Sequence, residues 1–364
     1  MRTVNGFVQH WRAYYHCRHC QRGHCPADTT LGLDGQWSPT LLPVVTLLGA
    51  LVPFAQASDL LQQITGLRVA PETCRRRTEA VGAELQARHQ QQAIVPQQPP
   101  DWDFTLPDRD GQRFAGTVAY LGLDAFAVPT RGEQAVDWKM LYVGLLYDPG
   151  KDHTLYLVDY DFEQLAGLLR RYAITLGVGA AETLVALTDG GNGLERVLQQ
   201  GVSGRVEFVL DWWHLSEKLH ALGGLLYEQK PGAATAWVKA QEAVLWQRGG
   251  AAWVRAIDKR GCPPSASAAA QAKWQEVRNY AWKNRHRTAY PTYRARGWDI
   301  GSGPTEAGCK LIQGRVKGTG MRWEKVRSAE VAALKALYAS GMGLWDAFWQ
   351  QRQTPLPPEN YLQN

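Results

Sequence analysis

The sequence predicts an α/β fold, and two observations support that prediction. Between residues 116 and 214, stretches rich in β-branched and aromatic residues alternate with stretches whose apolar residues recur at helical spacing. Between residues 215 and 296 the pattern is helical and rich in tryptophan. A chain that alternates strands and helices in this way forms layers of helices on a sheet.

The predicted elements follow in the order strand, strand, strand, helix, strand, helix, strand. Their ranges, in that order, are 116–130, 136–148, 153–161, 162–177, 183–191, 192–201 and 206–214. Three consecutive strands suggest a meander, and the helix after the third provides a crossover to a parallel strand. This succession is the plan of an RNase H-like domain, but periodicity alone also fits other α/β layouts.

Composition sets the broad class of the protein. The chain has 364 residues, of which 45% are hydrophobic and 20% charged, so it is expected to be globular with two or three domains. Its net charge of +6 favours a polyanionic partner. No apolar run reaches the roughly 18 residues that span a bilayer, and the first residues lack the layout of a signal peptide, so a cytoplasmic location is expected. The six cysteines are expected to be free or to bind metal.

Three carboxylates occupy positions where such a fold gathers a ligand. Asp124 lies in the middle of the first predicted strand, and Asp189 lies at the end of the fourth. The carboxyl ends of parallel strands are where open sheets bind ligands. Glu306 follows a glycine-rich stretch and Pro304, which predict a loop and a helix start. The three side chains together predict a site for two Mg²⁺ or Mn²⁺ ions that act on a phosphodiester.

Each carboxylate also has a purely structural interpretation. Asp124 can simply belong to a strand, Asp189 can cap the helix that follows it, and Glu306 can be an acidic residue that the helix dipole favours in a first turn. Their order along the chain and their placement in the expected elements favour the metal site over three separate structural roles.

Four stretches of the sequence together resemble a known family. They are YLGLDAFAVPTR, LTDGGNGLERVL, VLDWWHLSEKL and GSGPTEAGCKLIQGRVKGTGMRW. They resemble the DDE transposases of bacterial insertion sequences, closest to the Kra-type group of the Mutator-like superfamily, and the likeness runs over nearly the whole chain. The resemblance implies that Asp124, Asp189 and Glu306 form the catalytic triad and that a helical insertion separates the last strand from the helix of Glu306. It also implies a bacterial, nucleoid-associated protein that acts as a homo-oligomer on double-stranded DNA, with no membrane partner.

Further residues near the triad are expected to assist. The Asp211-x-x-His214 pair matches a motif of that superfamily, and His214 could donate to a phosphate or orient Asp211, with a structural histidine as the alternative. Basic residues on and after the Glu306 helix are expected to neutralise DNA phosphates, and these are Lys310, Arg315, Lys317 and Arg322. Trp323 could stack on an unpaired base, although a core tryptophan is the commoner case.

The N-terminal region predicts a DNA-binding module. Residues 54–85 suggest a helix, a turn at Gly66 and a second helix that carries Arg75, Arg76 and Arg77, which is typical of a helix-turn-helix, although such hairpins also occur as plain packing units. The stretch 86–103 is expected to be a solvated linker.

A zinc site is expected to be incomplete in this sequence. Cys17 and Cys20 form one CxxC knuckle, which supplies two of the four ligands that structural zinc requires. The resembled family implies an earlier knuckle, which this sequence lacks.

The sequence thus predicts a DNA transposase that cleaves element ends and joins the 3′-hydroxyls to target DNA by a two-metal mechanism. The alternatives are an RNase H-like nuclease and a transposase-derived DNA-binding protein without catalytic activity. The predicted regions are a partial zinc-ribbon-like segment, a helix-turn-helix region, the first part of the catalytic core, an all-helical insertion, the final helices of the core and a tail, at 1–35, 36–95, 96–214, 215–296, 297–350 and 351–364.

Overall fold

The computed structural model describes residues 1–109, 111–132, 135–191, 194–201, 206–228 and 230–352. It is a mixed α/β structure built around one five-stranded sheet. None of the helices in these ranges is both long and apolar enough to cross a membrane. The predicted tail, 351–364, lies outside the described residues except for its first two positions.

The N-terminal part consists of two small hairpins followed by helices. Strands β1 to β4 have the bounds Arg2–Thr3, Gly6–Phe7, Tyr15–His16 and Gly23–His24, and helices α1 to α4 the bounds Pro26–Thr30, Leu41–Leu51, Phe54–Thr65 and Pro71–Gln91. Helices α3 and α4 and the left-handed Gly66 between them correspond to the predicted helical hairpin. Gly66 permits this turn because a residue without a Cβ tolerates its φ of 70°.

The central sheet contains the predicted succession of strands and helices. Its strands are β5 to β9, with the bounds Val118–Arg131, Val136–Tyr147, Thr154–Asp159, Thr183–Thr188 and Val206–Leu210. Helix α5, Phe162–Thr175, lies between β7 and β8 along the chain, and α6, Leu194–Gly201, between β8 and β9. In space the strand order is β7-β6-β5-β8-β9, antiparallel from β7 to β5 and parallel from β5 to β9.

Helices fill the chain between the last strand and the glycine-rich stretch. They are α7 to α10, with the bounds Trp212–Leu226, Pro231–Arg260, Ala268–Lys283 and Tyr290–Ala295. Helix α8 is kinked at Gly249, where φ is 77°. The chain then returns to the sheet through α11, Gly303–Val316, α12, Lys325–Ala339, and α13, Leu344–Gln351.

The predicted linker at 86–103 is wrong in its first half and in part of its second. Helix α4 continues to Gln91, and Ile94 is fully buried. The Ile94 backbone N–H donates to the hydroxyl of Tyr172, and the indole N–H of Trp102 donates to the carbonyl of Leu176. The apolar residues among the glutamines and prolines therefore pack on α5, and they tie the N-terminal helices to the sheet.

Candidate active site

Three aspartates continue one row of the parallel sheet. In the ladder, Leu123 of β5 pairs with Thr188 of β8, and Thr188 pairs with Leu210 of β9. Asp124, Asp189 and Asp211 are each the next residue along their chain. Because neighbouring parallel strands lie about 4.8 Å apart, this register brings the three backbones together at one edge of the sheet.

Helix α11 packs on the face of β5 that carries Asp124. A Cβ on Gly122 would lie only 2.0 Å from Thr305 Oγ1, so the start of α11 rests directly on this glycine. Successive strand residues face opposite sides, so Asp124 shares the side of Gly122. Helix α11 therefore brings Glu306, the residue after Thr305, to the side of the sheet where Asp124 projects.

Cys309, on α11, lies within electrostatic reach of both Asp124 and Glu306. Burial raises the pKa of the Cys309 thiol strongly, and the negative charges of Asp124 and Glu306 raise it further. Asp124 is half-buried and accepts a hydrogen bond from the backbone N–H of Ala125 at 2.7 Å. Glu306 is exposed and forms an ion pair with Lys310 at 2.7 Å, one helical turn further on. Asp124 and Glu306 thus both act on Cys309, while the Glu306 carboxylate is paired with a cation on its own helix.

Asp211 is the most constrained carboxylate of the group. It is 1% exposed and accepts hydrogen bonds from His214 Nδ1 at 2.6 Å, from Ser302 Oγ at 2.6 Å and from the backbone N–H of Trp213 at 3.0 Å. Burial raises the pKa of Asp211, but these hydrogen bonds outweigh burial and the pKa is lowered. Asp211 therefore stays ionised, caps α7 and fastens the start of α11 to the end of β9.

His214 lies beside Asp211, and its pKa is raised. The hydrogen bond to Asp211 raises its pKa, and the charge of Asp189 raises it as well. This dependence places the imidazole within electrostatic reach of Asp189. The Nδ1–H is used by Asp211, so only the other ring nitrogen remains for a ligand.

The turn that carries Asp189 is folded on itself and held from outside. The Asp189 carboxylate accepts the backbone N–H of Gly191 at 2.9 Å. The side chain of Arg287 donates to the carbonyl of Asp189 at 2.6 Å. Arg287 belongs to the helical segment, which comprises α7 to α10 and the turns between them. Residues 192 and 193, which complete the predicted turn, lie outside the described residues.

The donor set suits Mg²⁺ in kind, because it consists of carboxylate oxygens on one edge of the sheet. Asp124 and Asp189 continue the same row, and Glu306 lies on the helix that packs on the side of the sheet where Asp124 projects. Within the described ranges, however, no three His, Cys, Asp or Glu side chains are grouped so as to hold a metal ion. The carboxylates belong to one side and edge of the sheet but do not converge on a shared metal position. Glu306 is paired with Lys310, and Asp189 is hydrogen-bonded within its own turn.

Two residues expected to contact DNA are buried instead, which corrects the sequence-based assignment. Arg315 is 1% exposed, its Nε donates to the carbonyl of Gly49 at 2.9 Å, and its guanidinium packs on the rings of Phe54 and Trp323. Burial lowers the pKa of Arg315 to about 10. Trp323 is 7% exposed, its indole N–H donates to the carbonyl of Val316, and its backbone pairs with the end of β5. Both side chains belong to the core between α3, α11 and β5.

The other basic residues of this stretch remain at the surface. Lys310 and Arg322 are exposed, and Lys317 is half-buried over the ring of Trp138. They stay candidates for phosphate contact.

The three arginines of α4 differ in their surroundings. Arg75 binds Glu72 and Glu79 at 2.6 Å each, and Arg77 binds Asp34 at 3.1 Å. Arg76 is the most exposed of the three and approaches Glu72 only to 3.9 Å. Among the three, Arg76 carries the charge that is least offset by neighbouring carboxylates.

The two cysteines of the CxxC knuckle lie together at the surface. Both are exposed, and the backbone N–H of Cys20 donates to the sulfur of Cys17 at 3.5 Å. Hydrogen bonds from Cys20 lower the pKa of Cys17. The knuckle lies in the loop that joins the paired strands β3 and β4. It offers two thiols, and in the described ranges no third His, Cys, Asp or Glu side chain is grouped with them.

No protein-family model matches the chain, and no curated protein matches it at a significant level.

Sequence reasoning did not single out several residues of this site. Ser302 donates to Asp211, Arg287 and Tyr280 bond the Asp189 turn, and the indole of Trp213 lies 62% exposed beside Gly301. Trp213 stood inside the VLDWWH stretch and could have been noticed there. Ser302, Tyr280 and Arg287 meet the aspartates only through the tertiary fold, and no local pattern marks them.

Proposed function

We propose that this chain is an RNase H-like DNA transposase that binds the ends of an insertion sequence, cleaves the DNA strands and joins 3′-hydroxyl ends to target DNA. The observation that carries the proposal is the row of Asp124, Asp189 and Asp211 at the edge of three neighbouring strands, with Glu306 brought over it by α11. The order of elements and the strand order β7-β6-β5-β8-β9 support the RNase H-like assignment. The resemblance of the four sequence stretches to DDE transposases supports the activity.

In this proposal Asp124, Asp189 and Glu306 hold two Mg²⁺ or Mn²⁺ ions. Ions bound there supply the charge that activates a water or a 3′-hydroxyl and stabilises the leaving oxygen. Asp124 and Asp189 offer their carboxylates from adjacent strands. To bind a metal ion, the Glu306 carboxylate has to break its ion pair with Lys310. The Lys310 ammonium is then free to contact a phosphate.

The remaining residues of the site position the others and bind the DNA backbone. Asp211 keeps α11 in place through Ser302. The raised pKa of His214 favours its imidazolium form near Asp189, where in this proposal it contacts a phosphate of the strand being cut. The exposed Arg76, Lys310 and Arg322 are in this proposal the residues that contact DNA phosphates.

The test is cleavage of a labelled DNA end by the wild type and by Glu306→Gln, with and without Mg²⁺. The amide keeps the shape but removes a charged ligand, so we expect Mg²⁺-dependent cleavage to fall by at least about 100-fold while DNA binding in a gel shift persists. Glu324→Gln is the matched control, because Glu324 is as exposed as Glu306 and lies at the start of α12. It should cleave like the wild type.

The same assay separates the proposal from its two alternatives. A nuclease would cut but yield no product in which the labelled 3′ end is joined to a second DNA. A DNA-binding protein without activity would shift the labelled end but leave it intact at every Mg²⁺ or Mn²⁺ concentration. Full cleavage by Glu306→Gln would refute the two-metal assignment.

A further inference from the structure

A buried arginine from the helical segment holds the strand end that carries Asp189. Arg287 lies in a short 3₁₀ turn between α9 and α10 and is 1% exposed. Its Nη1 donates to Thr188 Oγ1 at 2.8 Å, and its Nη2 donates to the carbonyl of Asp189 at 2.6 Å. A buried cation with two charge-assisted hydrogen bonds fixes the orientation of its acceptors more firmly than neutral donors do.

The same guanidinium also reaches the helix on the far side of the Asp189 turn. Its Nε lies 3.1 Å from Asn284 Oδ1 and 3.1 Å from Glu195 Oε1. Glu195 belongs to α6, which follows the turn. Arg287 therefore bridges the strand before the turn and the helix after it.

A second side chain of the helical segment holds the next residue of the turn. The backbone N–H of Gly190 donates to the hydroxyl of Tyr280, in α9, at 3.0 Å. A Cβ on Gly190 would lie 2.3 Å from the Tyr280 ring. The helical segment thus contacts three consecutive residues, 188 to 190, and leaves no room for a side chain at the third.

We infer that Arg287 is a positioning residue for Asp189, through which the helical segment orients a carboxylate that binds metal. This inference rests on the proposed function. The Asp189 carboxylate accepts the backbone N–H of Gly191, two residues further along its own turn. The direction of the carboxylate therefore follows the backbone of the turn, and Arg287 and Tyr280 fix that backbone. Groups that orient metal ligands change metal affinity without touching the ion.

The planar fork of arginine is needed for this role. The rigid guanidinium of Arg287 donates hydrogen bonds to Thr188 and Asp189 and at the same time forms an ion pair with Glu195. A lysine keeps the positive charge but offers a single ammonium on a flexible stem, so it cannot hold the strand end and α6 together. Arg287→Lys therefore tests geometry separately from charge.

The experiment measures Mn²⁺ binding to the full-length protein by isothermal titration calorimetry. We expect Arg287→Lys to weaken Mn²⁺ binding by about 10-fold and to raise the Mg²⁺ concentration for half-maximal cleavage, with excess Mg²⁺ restoring part of the activity. The matched control is Arg278→Lys, which makes the same change in the same helical segment, at a side chain that pairs with Asp258. It should bind Mn²⁺ like the wild type.

Hydrogen exchange at Gly190 provides a readout that does not depend on activity. We expect its amide to exchange faster in Tyr280→Phe, which keeps the ring and loses the acceptor, and in Arg287→Lys. If Arg287→Lys does not fold, Tyr280→Phe decides, with a weaker Mn²⁺ affinity as the expected result. Wild-type Mn²⁺ affinity in a folded Arg287→Lys protein, or in Tyr280→Phe when the lysine variant is unfolded, would overturn the inference.

The two proposals fail in different ways. If the wild type neither binds Mn²⁺ nor cleaves DNA, the proposed function fails, and Asp189 is not a metal ligand that Arg287 could orient. If the wild type binds Mn²⁺ and cleaves but Arg287→Lys does both equally well, the proposed function stands and only the positioning role of Arg287 is lost.

Discussion

Asp211 and Ser302 are 91 residues apart in the chain, and the hydroxyl of Ser302 donates to the Asp211 carboxylate at 2.6 Å. Asp211 follows the last strand of the sheet, and Ser302 immediately precedes α11. The backbone N–H of Glu306 donates to the Ser302 carbonyl at 3.0 Å, so Ser302 also begins the helix that carries Glu306. The buried Asp211 carboxylate thus fixes the start of α11, the helix that carries the proposed metal ligand Glu306.

We expect Ser302→Ala to lower both stability and cleavage. It removes a hydrogen bond to a buried, ionised carboxylate, which costs about 1 to 3 kcal/mol in the free energy of unfolding. It also loosens α11, so Mg²⁺-dependent cleavage should fall. Urea unfolding and the end-cleavage assay measure the two effects.

Ser267→Ala is the matched control for Ser302→Ala. Ser267 caps α9 by accepting the backbone N–H of Ala270 at 3.2 Å, so its loss costs about 1 kcal/mol but does not involve α11. Its cleavage should stay unchanged. A Ser302→Ala protein with wild-type stability and wild-type cleavage would contradict the role of the Asp211–Ser302 contact.

The contact between Gly122 and Thr305 predicts a coupled pair of mutations. Gly122→Ala should destabilise the protein by about 1 to 3 kcal/mol, because its Cβ would lie 2.0 Å from Thr305 Oγ1. That hydroxyl is buried and has no hydrogen-bond partner among the residues that the structure describes, so removing it loses little polar energy. The double variant Gly122→Ala, Thr305→Ala should therefore recover most of the stability that Gly122→Ala loses, as measured by a double-mutant cycle in urea. Strictly additive effects would mean that α11 does not rest on Gly122.

The sequence predicted the succession of strands and helices and placed Asp124 within its strand, because local periodicity determines those features. The fourth strand was predicted over 183–191 but ends at Thr188, so Asp189 lies in the turn that follows it. The sequence also contained a signal against Arg315 as a DNA contact. Arg315 follows Cys309 and Ile312 at intervals of three residues, on the buried stripe of α11. Its position on the helix, and not the positive charge it shares with its neighbours in sequence, determines its environment.

Other features depend on contacts between distant parts of the chain. The burial of Ile94 within a stretch of glutamines and prolines results from packing on α5, and the fork of Arg287 on the Asp189 turn joins residues almost a hundred positions apart. Composition and periodicity describe one element at a time, so neither contact could be predicted from them.

The arginines of α4 should contribute unequally to DNA binding. Arg76→Ala should weaken binding to an element end and reduce the slope of log affinity against log salt by about one unit. Arg75→Ala should change both less, because Glu72 and Glu79 already offset its charge. Fluorescence anisotropy over a series of salt concentrations measures both quantities. Equal losses in the two variants would show that DNA displaces the two glutamates, and unchanged binding in both would assign the helix to packing.

His214 should make stability depend on pH in the neutral range. Its pKa is raised above the ordinary 6.5, first by the hydrogen bond to Asp211 and then by nearby charges that include Asp189 and Glu217. A raised pKa in the folded state means that the folded protein binds the proton more tightly than the unfolded chain does. The resulting stabilisation is fully present below pH 6.5 and is lost as the pH rises through the folded-state value.

We therefore expect the free energy of unfolding of the wild type to decrease with pH in this window relative to His214→Gln. The glutamine variant can still donate a hydrogen bond to Asp211 but carries no titrating proton, so the difference between the two curves isolates the imidazole. The side chain is 42% exposed, so solvent screening keeps the difference modest. Asp211 does not contribute here, because its lowered pKa confines its loss of stabilisation to acid pH. Urea unfolding at intervals from about pH 5.5 to 8.5 measures the two curves. Parallel curves would mean that folding does not raise the pKa of His214, which would remove the preference for the imidazolium form near Asp189.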